Sequence, residues 1–490
     1  MRRDATLYKR YSEILSYTGV IFLVLGFVLL TPLLALTAWP AERTHVWGFI
    51  FPAGVLFLGG LALWRFFRPV GPSILTLQEG GVVVLLSWIA ACLFSAWPFM
   101  AVQGLNFTQA VFESVSGWTT TGLSVVDVTK APHIILLWRS IMQLLGGAGL
   151  AIVMLAAIAG PVGSGFSAAE GRTDQLAPHV RKSAKLVMTI YSGYAILGII
   201  AYRIAGMTWF DAVNHAFPAV STGGFSTYPD SIGHWDSVAI EAVTIPLMIL
   251  GNLNFLTAFL LLHGKFSAVS RNGEVRLMAS LIPMGALILF FFVCRGMYPL
   301  FGKAVRVAIF ESVTALTTTG FSTVGYTDWN GIGFLVLIVL MLIGGGTCST
   351  AGGIKQYRIY LMFRSILWEV RRLLLPRTVV MENYVWQGER KDFIGDDRIR
   401  QVSVYLFLYL VLYVLGTGVI AAHGYSLRDA LFEFASAQGT VGLSIGVTAA
   451  AAPPLVLWTE AFGMFLGRLE FFIIFAALWK LLRDSRTLLS

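Results

Sequence analysis

Four short segments carry the residues best suited to chemistry: Thr120-Thr-Gly-Leu-Ser124, Thr222-Gly-Gly-Phe-Ser226, Thr318-Thr-Gly-Phe-Ser322 and Thr440-Val-Gly-Leu-Ser444. All read Thr-x-Gly-[Leu/Phe]-Ser, and the chemistry they suit is coordination by the main chain. A glycine lets the backbone turn its carbonyl oxygens toward an axis without a Cβ penalty, and rings of such oxygens replace the hydration shell of a cation. Gly122, Gly224, Gly320 and Gly442 are separated by 102, 96 and 122 residues, so the segments mark an internal repeat. Four copies make a ring. Its candidate ligands are Thr120, Thr121, Gly122, Thr222, Gly223, Gly224, Thr318, Thr319, Gly320, Thr440, Val441 and Gly442.

Each segment needs an element to aim it, and each follows a short helix-like run. In the first, second and fourth repeats these runs start near Asn106, Phe210 and Leu427, just past the end of a long apolar stretch. A helix of about 12 residues is about 18 Å long, half a bilayer, which fits a re-entrant helix and is too short for a crossing. Non-helical backbone at membrane depth is tolerated only where protein buries it or water lines it. The chain has the composition for such a setting: 490 residues, 57% hydrophobic and 12% charged, with a mean hydropathy of +0.75. This is a polytopic membrane protein, not a soluble globular one. Runs long enough to cross a hydrocarbon core of about 30 Å fall at 14–38, 45–67, 73–98, 134–160, 182–205, 237–262, 275–294, 332–365, 401–422 and 455–482. The first is too long for the apolar core of a signal peptide and is expected to stay as an anchor.

The net charge of +9 follows topology and gives no support to nucleic-acid binding. With the four segments entering as re-entrant loops from one side, most lysines and arginines fall on the side of the N-terminus. The other side holds Arg43, Lys130, Arg139, Arg203, Arg295, Lys303, Arg306 and Arg428. The positive-inside rule then puts both termini in the cytoplasm and the four segments toward the outside. Cys92, Cys294 and Cys348 show no disulfide or metal spacing, and the seven histidines are scattered, so a zinc enzyme is not indicated.

On these residues the chain resembles the Trk/Ktr/HKT superfamily of potassium transporters, whose single chain carries four pore repeats. It looks most like the bacterial Trk-type membrane subunit, because two extra apolar segments precede the first repeat. The resemblance implies an all-α fold of four pseudo-symmetric helix, pore-helix, filter, helix repeats. On that frame residues 1–70 are a peripheral helical pair and 71–165, 166–265, 266–370 and 401–490 are the repeats, with 371–400 a cytoplasmic basic segment. It further implies potassium as substrate, no cofactor, a homodimer in the inner membrane among its lipids, and a cytoplasmic nucleotide-binding partner of the RCK type. The basic stretch 355–400, with Arg371 and Arg372, is the expected docking surface. Gly122 is the potassium-type choice where sodium-transporting plant relatives carry serine.

Two stretches depart from the repeat. The second span of the third repeat is interrupted by Gly344-Gly-Gly-Thr-Cys-Ser-Thr-Ala-Gly-Gly353, and each glycine there costs a helix about 1 kcal/mol against alanine. Small residues also serve tight helix packing; broken helices in transporters line the permeation path. Arg468 stands in the middle of the last span, where an arginine costs at least about 2.5–3.5 kcal/mol without a cavity or a partner. One reading pairs it with Glu460 or Glu470. The resemblance instead implies a gate made by Gly344, Gly345, Gly346, Gly352, Gly353 and Arg468, with an unpaired guanidinium opposing the ion from below the filter. Nine residues before each repeat glycine stand Glu113, His215, Glu311 and Glu433. These are either buried braces behind the filter or carboxylates favoured by a helix start. A proton- or sodium-coupled carrier is the alternative function. It lacks a lone central carboxylate apart from Glu470. A membrane hydrolase leaves the repeat unexplained.

Overall fold

A computed structural model of the chain describes residues 2–67, 76–149, 180–376, 379, 382–387, 390–469 and 471–489. Six helices among them are long and apolar enough to cross a membrane: Leu7–Thr37, Trp47–Phe66, Gln78–Gln103, Ala184–Ile204, Gly273–Met297 and Asp396–Ala422. The last four each open one repeat. Each is followed by a short helix, Phe107–Trp118, Trp209–Ser221, Phe301–Leu316 or Leu427–Gln438, and then by one of the Thr-x-Gly segments. Three of the short helices start on a side-chain cap sixteen residues before the repeat glycine. Asn106 accepts from the Gln109 amide, Thr208 from Asp211 and Ser426 from Asp429, which satisfies donors that a helix start leaves open.

The second helix is interrupted in the second, third and fourth repeats, which sequence anticipated only for the third. Val238–Asn252 and Phe255–Leu262 meet at 119°, and Pro454–Leu469 and Phe471–Arg486 at 99°, so unbroken spans over 237–262 and 455–482 are corrected. At the first of these breaks Leu253 turns extended and Asn254 caps the next helix through the Leu256 amide. The span expected over 134–160 is helical at His133–Ala148 and leaves the helix at Gly149, φ +85°; its remainder lies outside the described residues. In the third repeat Gly331–Ile343 stops at Gly344 and helix resumes at Gln356–Leu374.

The N-terminal pair is fastened to the first repeat more firmly than a peripheral element requires. Gly19 and Gly60 bring its helices so close that a Cβ on either lies within 2.8 Å of the other's carbonyl oxygen. Beyond them, Glu42 accepts from the amides of His133 and Ile134 at 2.9 Å each, capping the second helix of the first repeat, while Trp39 stacks on His133. The basic segment also holds structure that an all-α reading did not foresee. Tyr384–Gln387 and Arg390–Phe393 form an antiparallel hairpin. Its Val385 packs with Ile394 against Tyr357, Leu361, Trp368 and Val402 in a small core of its own.

Candidate cation-binding site

The four Thr-x-Gly segments meet end to end in a closed ring. A Cβ on Gly122 would overlap the carbonyl oxygen of Gly223, one on Gly224 that of Thr319, one on Gly320 that of Val441, and one on Gly442 that of Thr121. Each repeat glycine therefore touches the backbone of the next repeat, and the fourth touches the first. The local backbone is the same four times. Thr120, Thr222, Thr318 and Thr440 have φ between +50° and +56°, the next residue returns to negative φ, and the glycines lie at +98°, +71°, +80° and +100°. Positive φ is a genuine outlier for a β-branched residue and persists only where the surroundings over-determine it. Alternating the hand of successive residues turns successive carbonyls to one side. All twelve residues of the ring expected from sequence are thus brought together, and the four threonines are fully buried. The hydroxyls of Thr120 and Thr440 have no partner among the described residues.

The groups nine residues before each glycine are braces, each hydrogen-bonded to the chain just beyond its own repeat glycine. Glu113 accepts from Ser124 Oγ and the Val125 amide at 2.9 Å each. Glu311 accepts from the Thr323 amide at 2.9 Å and Tyr326 Oη at 2.5 Å, and Glu433 from Ser444 Oγ at 2.6 Å and the amides of Ile445 and Thr448. In the second repeat His215 does the same work: Nδ1 donates to the Asp211 carbonyl at 2.8 Å, and Nε2 is hydrogen-bonded to Ser226 Oγ at 2.9 Å. The reading of these four as charges at helix starts does not hold, since all four are fully buried at or beyond the middle of their helices. Arg139, counted from sequence among the outer loops, is instead buried against the ring. Its Nε meets Glu113 at 2.8 Å, Nη2 donates to Ser124 Oγ and Nη1 to the Ser226 carbonyl, at 3.0 Å each. One guanidinium joins the first and second repeats.

Above the ring lies a cavity of about 580 Å³, lined by Gly122, Gly224, Gly320 and Gly442 and by Asp127 and Asp230. Below it lies the glycine-rich loop. The Gly352 amide donates to Thr318 Oγ1 at 2.8 Å, the hydroxyls of Thr350 and Thr222 are 3.2 Å apart, and a Cβ on Gly352 would overlap Thr440 Oγ1. The loop thus sits directly under the threonines of three repeats. It closes on itself, with the Gly345 amide on the Gly352 carbonyl and Gln356 Nε2 on the Gly344 carbonyl, and Gly353 φ +76° packed on Gly344. It is also tied to the break of the second repeat, through the Gly346 amide on the Asn252 carbonyl and the Thr350 amide on the Gly251 carbonyl. Glu274 accepts from the Thr347 amide and hydroxyl at 2.8 Å each.

Arg468 reaches this loop. Nη1 donates to the Thr350 carbonyl at 2.5 Å, and Nη2 to the carbonyls of Gly146 and Gly147 at 2.6 and 3.1 Å. The expectation of an unpaired guanidinium is corrected: the half-buried charge is held by carbonyl dipoles rather than left bare. Glu460 bonds Thr448 at 3.0 Å instead of Arg468, and Glu470 lies outside the described residues. Lys355, which the sequence reading passed over, is a second cation on the loop, donating to the Ala351 carbonyl with φ +85°. A further signal went unread. Gly146, Gly251, Gly344 and Gly467 each follow a repeat glycine by about 25 residues, a second period that falls at or near the end of the helix after each ring segment. Three of these pack on the last turn of their short helix, where a Cβ would strike the carbonyl of Trp118, Val220 or Gln438.

With this geometry in hand, similarity to known proteins is informative. The family model TrkH, described as a cation transport protein, matches residues 73–485. The Trk system potassium uptake protein TrkG of Escherichia coli is 31% identical over 434 residues, which are 85% of this chain and 88% of that one. An uncharacterized cation transporter of Methanocaldococcus jannaschii is 29% identical over 478 residues, 96% of each chain. The crystal structure of the potassium transporter TrkH from Vibrio parahaemolyticus superposes with a TM-score of 0.83 at 26% identity, covering 96% of this chain and 98% of that one.

Proposed function

The chain belongs to the TrkH family of cation transport proteins, a multi-pass membrane transporter rather than an enzyme, and we propose that it carries potassium inward through the ring of Thr-x-Gly segments. The single observation that supports this most is the closure of the ring, in which each repeat glycine abuts the carbonyl of the next repeat. Carbonyls of Thr120, Thr121, Gly122, Thr222, Gly223, Gly224, Thr318, Thr319, Gly320, Thr440, Val441 and Gly442 supply the oxygens that replace water around the ion. The short helices end at the ring, so the negative ends of their dipoles favour a cation there.

The loop Gly344 to Gly353, held by Arg468, is the gate. It stands under the ring and shares hydrogen bonds with Thr318, so an ion cannot leave downward until the loop moves. A cation on that path also meets the guanidinium, and at an effective dielectric of about 20 two charges about 4 Å apart repel by about 4 kcal/mol. The names of the relatives point to a multi-component system. A homodimer in the inner membrane, with both termini cytoplasmic and an RCK-type subunit on the basic inner surface, completes the proposal.

Reversal potentials of the purified protein in liposomes, under opposed potassium and sodium gradients, test this reading. Potassium-selective current is the expected result. Equal potassium and sodium currents would leave only a cation path, and chloride current would overturn it.

A further inference from the structure

We infer that Gln143 is a positioning residue of the ring: it stands in for a side chain missing from the second repeat and sets the aim and field of the Gly223 carbonyl. This rests on the reading of the ring as the cation filter. The position before each repeat glycine is Thr121, Gly223, Thr319 and Val441. In the first and third repeats the threonine hydroxyl is held at 2.8 Å by a second threonine, Thr119 or Thr317. The second repeat has no side chain there, and the space is filled from outside it.

Gln143, on the second helix of the first repeat, enters that space fully buried. A Cβ on Gly223 would lie 2.5 Å from Gln143 Cδ and 2.6 Å from its Oε1. Its Nε2 donates to the Gly223 carbonyl at 2.5 Å, and its Oε1 accepts from the Phe225 amide at 3.1 Å. A carbonyl only accepts and an amide N–H only donates, so the orientation of the glutamine amide is fixed by its partners. The Gly223 oxygen is the one that abuts Gly122 in the ring. Gln143 therefore holds one of the four oxygens of that layer by a rigid two-point clamp across the boundary between repeats. Part of that oxygen's negative charge faces an N–H, which weakens its field toward an ion. Ligands of weaker field favour the larger, more easily dehydrated cation, so the clamp acts in the direction of potassium over sodium.

The glycine at 223 follows from the same geometry: any side chain there collides with Gln143. The second repeat keeps a hydroxyl at Ser221, the position matching Thr119 and Thr317, so the arrangement of the other repeats can be rebuilt by exchanging both residues.

The test measures potassium/sodium permeability ratio and melting temperature on the same preparations. Gln143→Met keeps the volume and removes both hydrogen bonds. It should lower the ratio about fivefold, the effect of one ordinary hydrogen bond, in a protein that still folds and melts cooperatively. Gln143→Ala should lower it similarly, and Gln143→Ala with Gly223→Thr should return it to within about twofold of the unaltered protein. A folded Gln143→Met protein with an unaltered ratio overturns the proposal, and so does a double variant no better than Gln143→Ala. Should Gln143→Met fail to fold, the comparison of Gln143→Ala with the double variant decides. If the unaltered protein carries no potassium current, the filter reading itself falls. If it is selective and Gln143→Met matches it, only the role of Gln143 falls.

Discussion

Arg468 and Thr350, 118 residues apart in the chain, are joined by a 2.5 Å hydrogen bond from guanidinium to carbonyl. The other arm of the same guanidinium holds Gly146 and Gly147. One side chain of the fourth repeat thus links the broken helix of the third to the end of the helix in the first, beneath a ring to which all four contribute. The loop is held by directed bonds, so releasing it means breaking them.

Replacing Arg468 by alanine should raise basal rubidium flux in the absence of any partner by at least about tenfold, since hydrogen bonds to a charged group contribute roughly 1.5–3 kcal/mol each. Arg468→Lys should fall between, because an ammonium keeps the charge but lacks the planar fork that reaches carbonyls on two elements. Flux and melting temperature on one preparation check this, and a destabilised protein with no added leak would remove the gate.

Gly122→Ser should weaken potassium/sodium discrimination while leaving the protein inserted. Gly122 lies at φ +98° against the Gly223 carbonyl, so a side chain there is strained and displaces an oxygen of the next repeat. The same change at Gly224, Gly320 or Gly442 should act alike. Rubidium-over-sodium flux ratios in liposomes measure it; an unchanged ratio would take the glycine out of the filter.

Glu113 and Arg139 are both nearly inaccessible to solvent and meet at 2.8 Å. Removing one partner strands a buried charge, so Glu113→Gln should cost about 3–5 kcal/mol, whereas Glu113→Gln with Arg139→Met should recover much of that loss. Thermal unfolding of the single and double variants in detergent gives the coupling between them.

Between the two N-terminal helices, the Glu42 carboxyl is subject to burial, which raises its pKa, but amide and ring donors at Ile134 and His133 outweigh this and draw it below the ordinary value. A depressed carboxylate contributes stability above its unfolded pKa, about 4.3, and that contribution is lost as pH falls through the folded value. Glu42→Gln should therefore lower the melting temperature at neutral pH and should make no difference once the pH is well below 4. Melting curves of both proteins across that range are the measurement; a pH-independent gap would assign the effect to packing.

Reversing Arg371 and Arg372 to glutamate should reduce capture of an RCK-type partner by the detergent-solubilised protein. Both lie in the last turn of the helix Gln356–Leu374, the helix that leads directly from the gate loop. Full capture and full regulation after the reversal would move the docking surface elsewhere.

The repeat, the membrane setting and the twelve ring residues were legible in the sequence because they rest on local rules. Apolar length, the placement of lysine and arginine, and a glycine after a β-branched residue each leave a mark at fixed spacing. The glycine-rich loop and Arg468 were visible for the same reason, as violations of a helical pattern. What the sequence left undecided is what long-range contact decides. Whether Glu113, His215, Glu311 and Glu433 face water or brace the ring depends on burial, which periodicity does not report. That Arg139 belongs to the ring and not to an outer loop depends on Glu113 and Ser226, 26 and 87 residues away. Gly223 reads as a lapse in the motif until Gln143, from another repeat, is seen in its place. Breaks in the second and fourth repeats escaped notice because their flanking residues stay apolar, and hydropathy does not register a bend. The ring itself closes only in three dimensions: each repeat supplies a backbone, and the neighbour that each glycine must admit lies between 95 and 321 residues away, beyond the reach of any local rule.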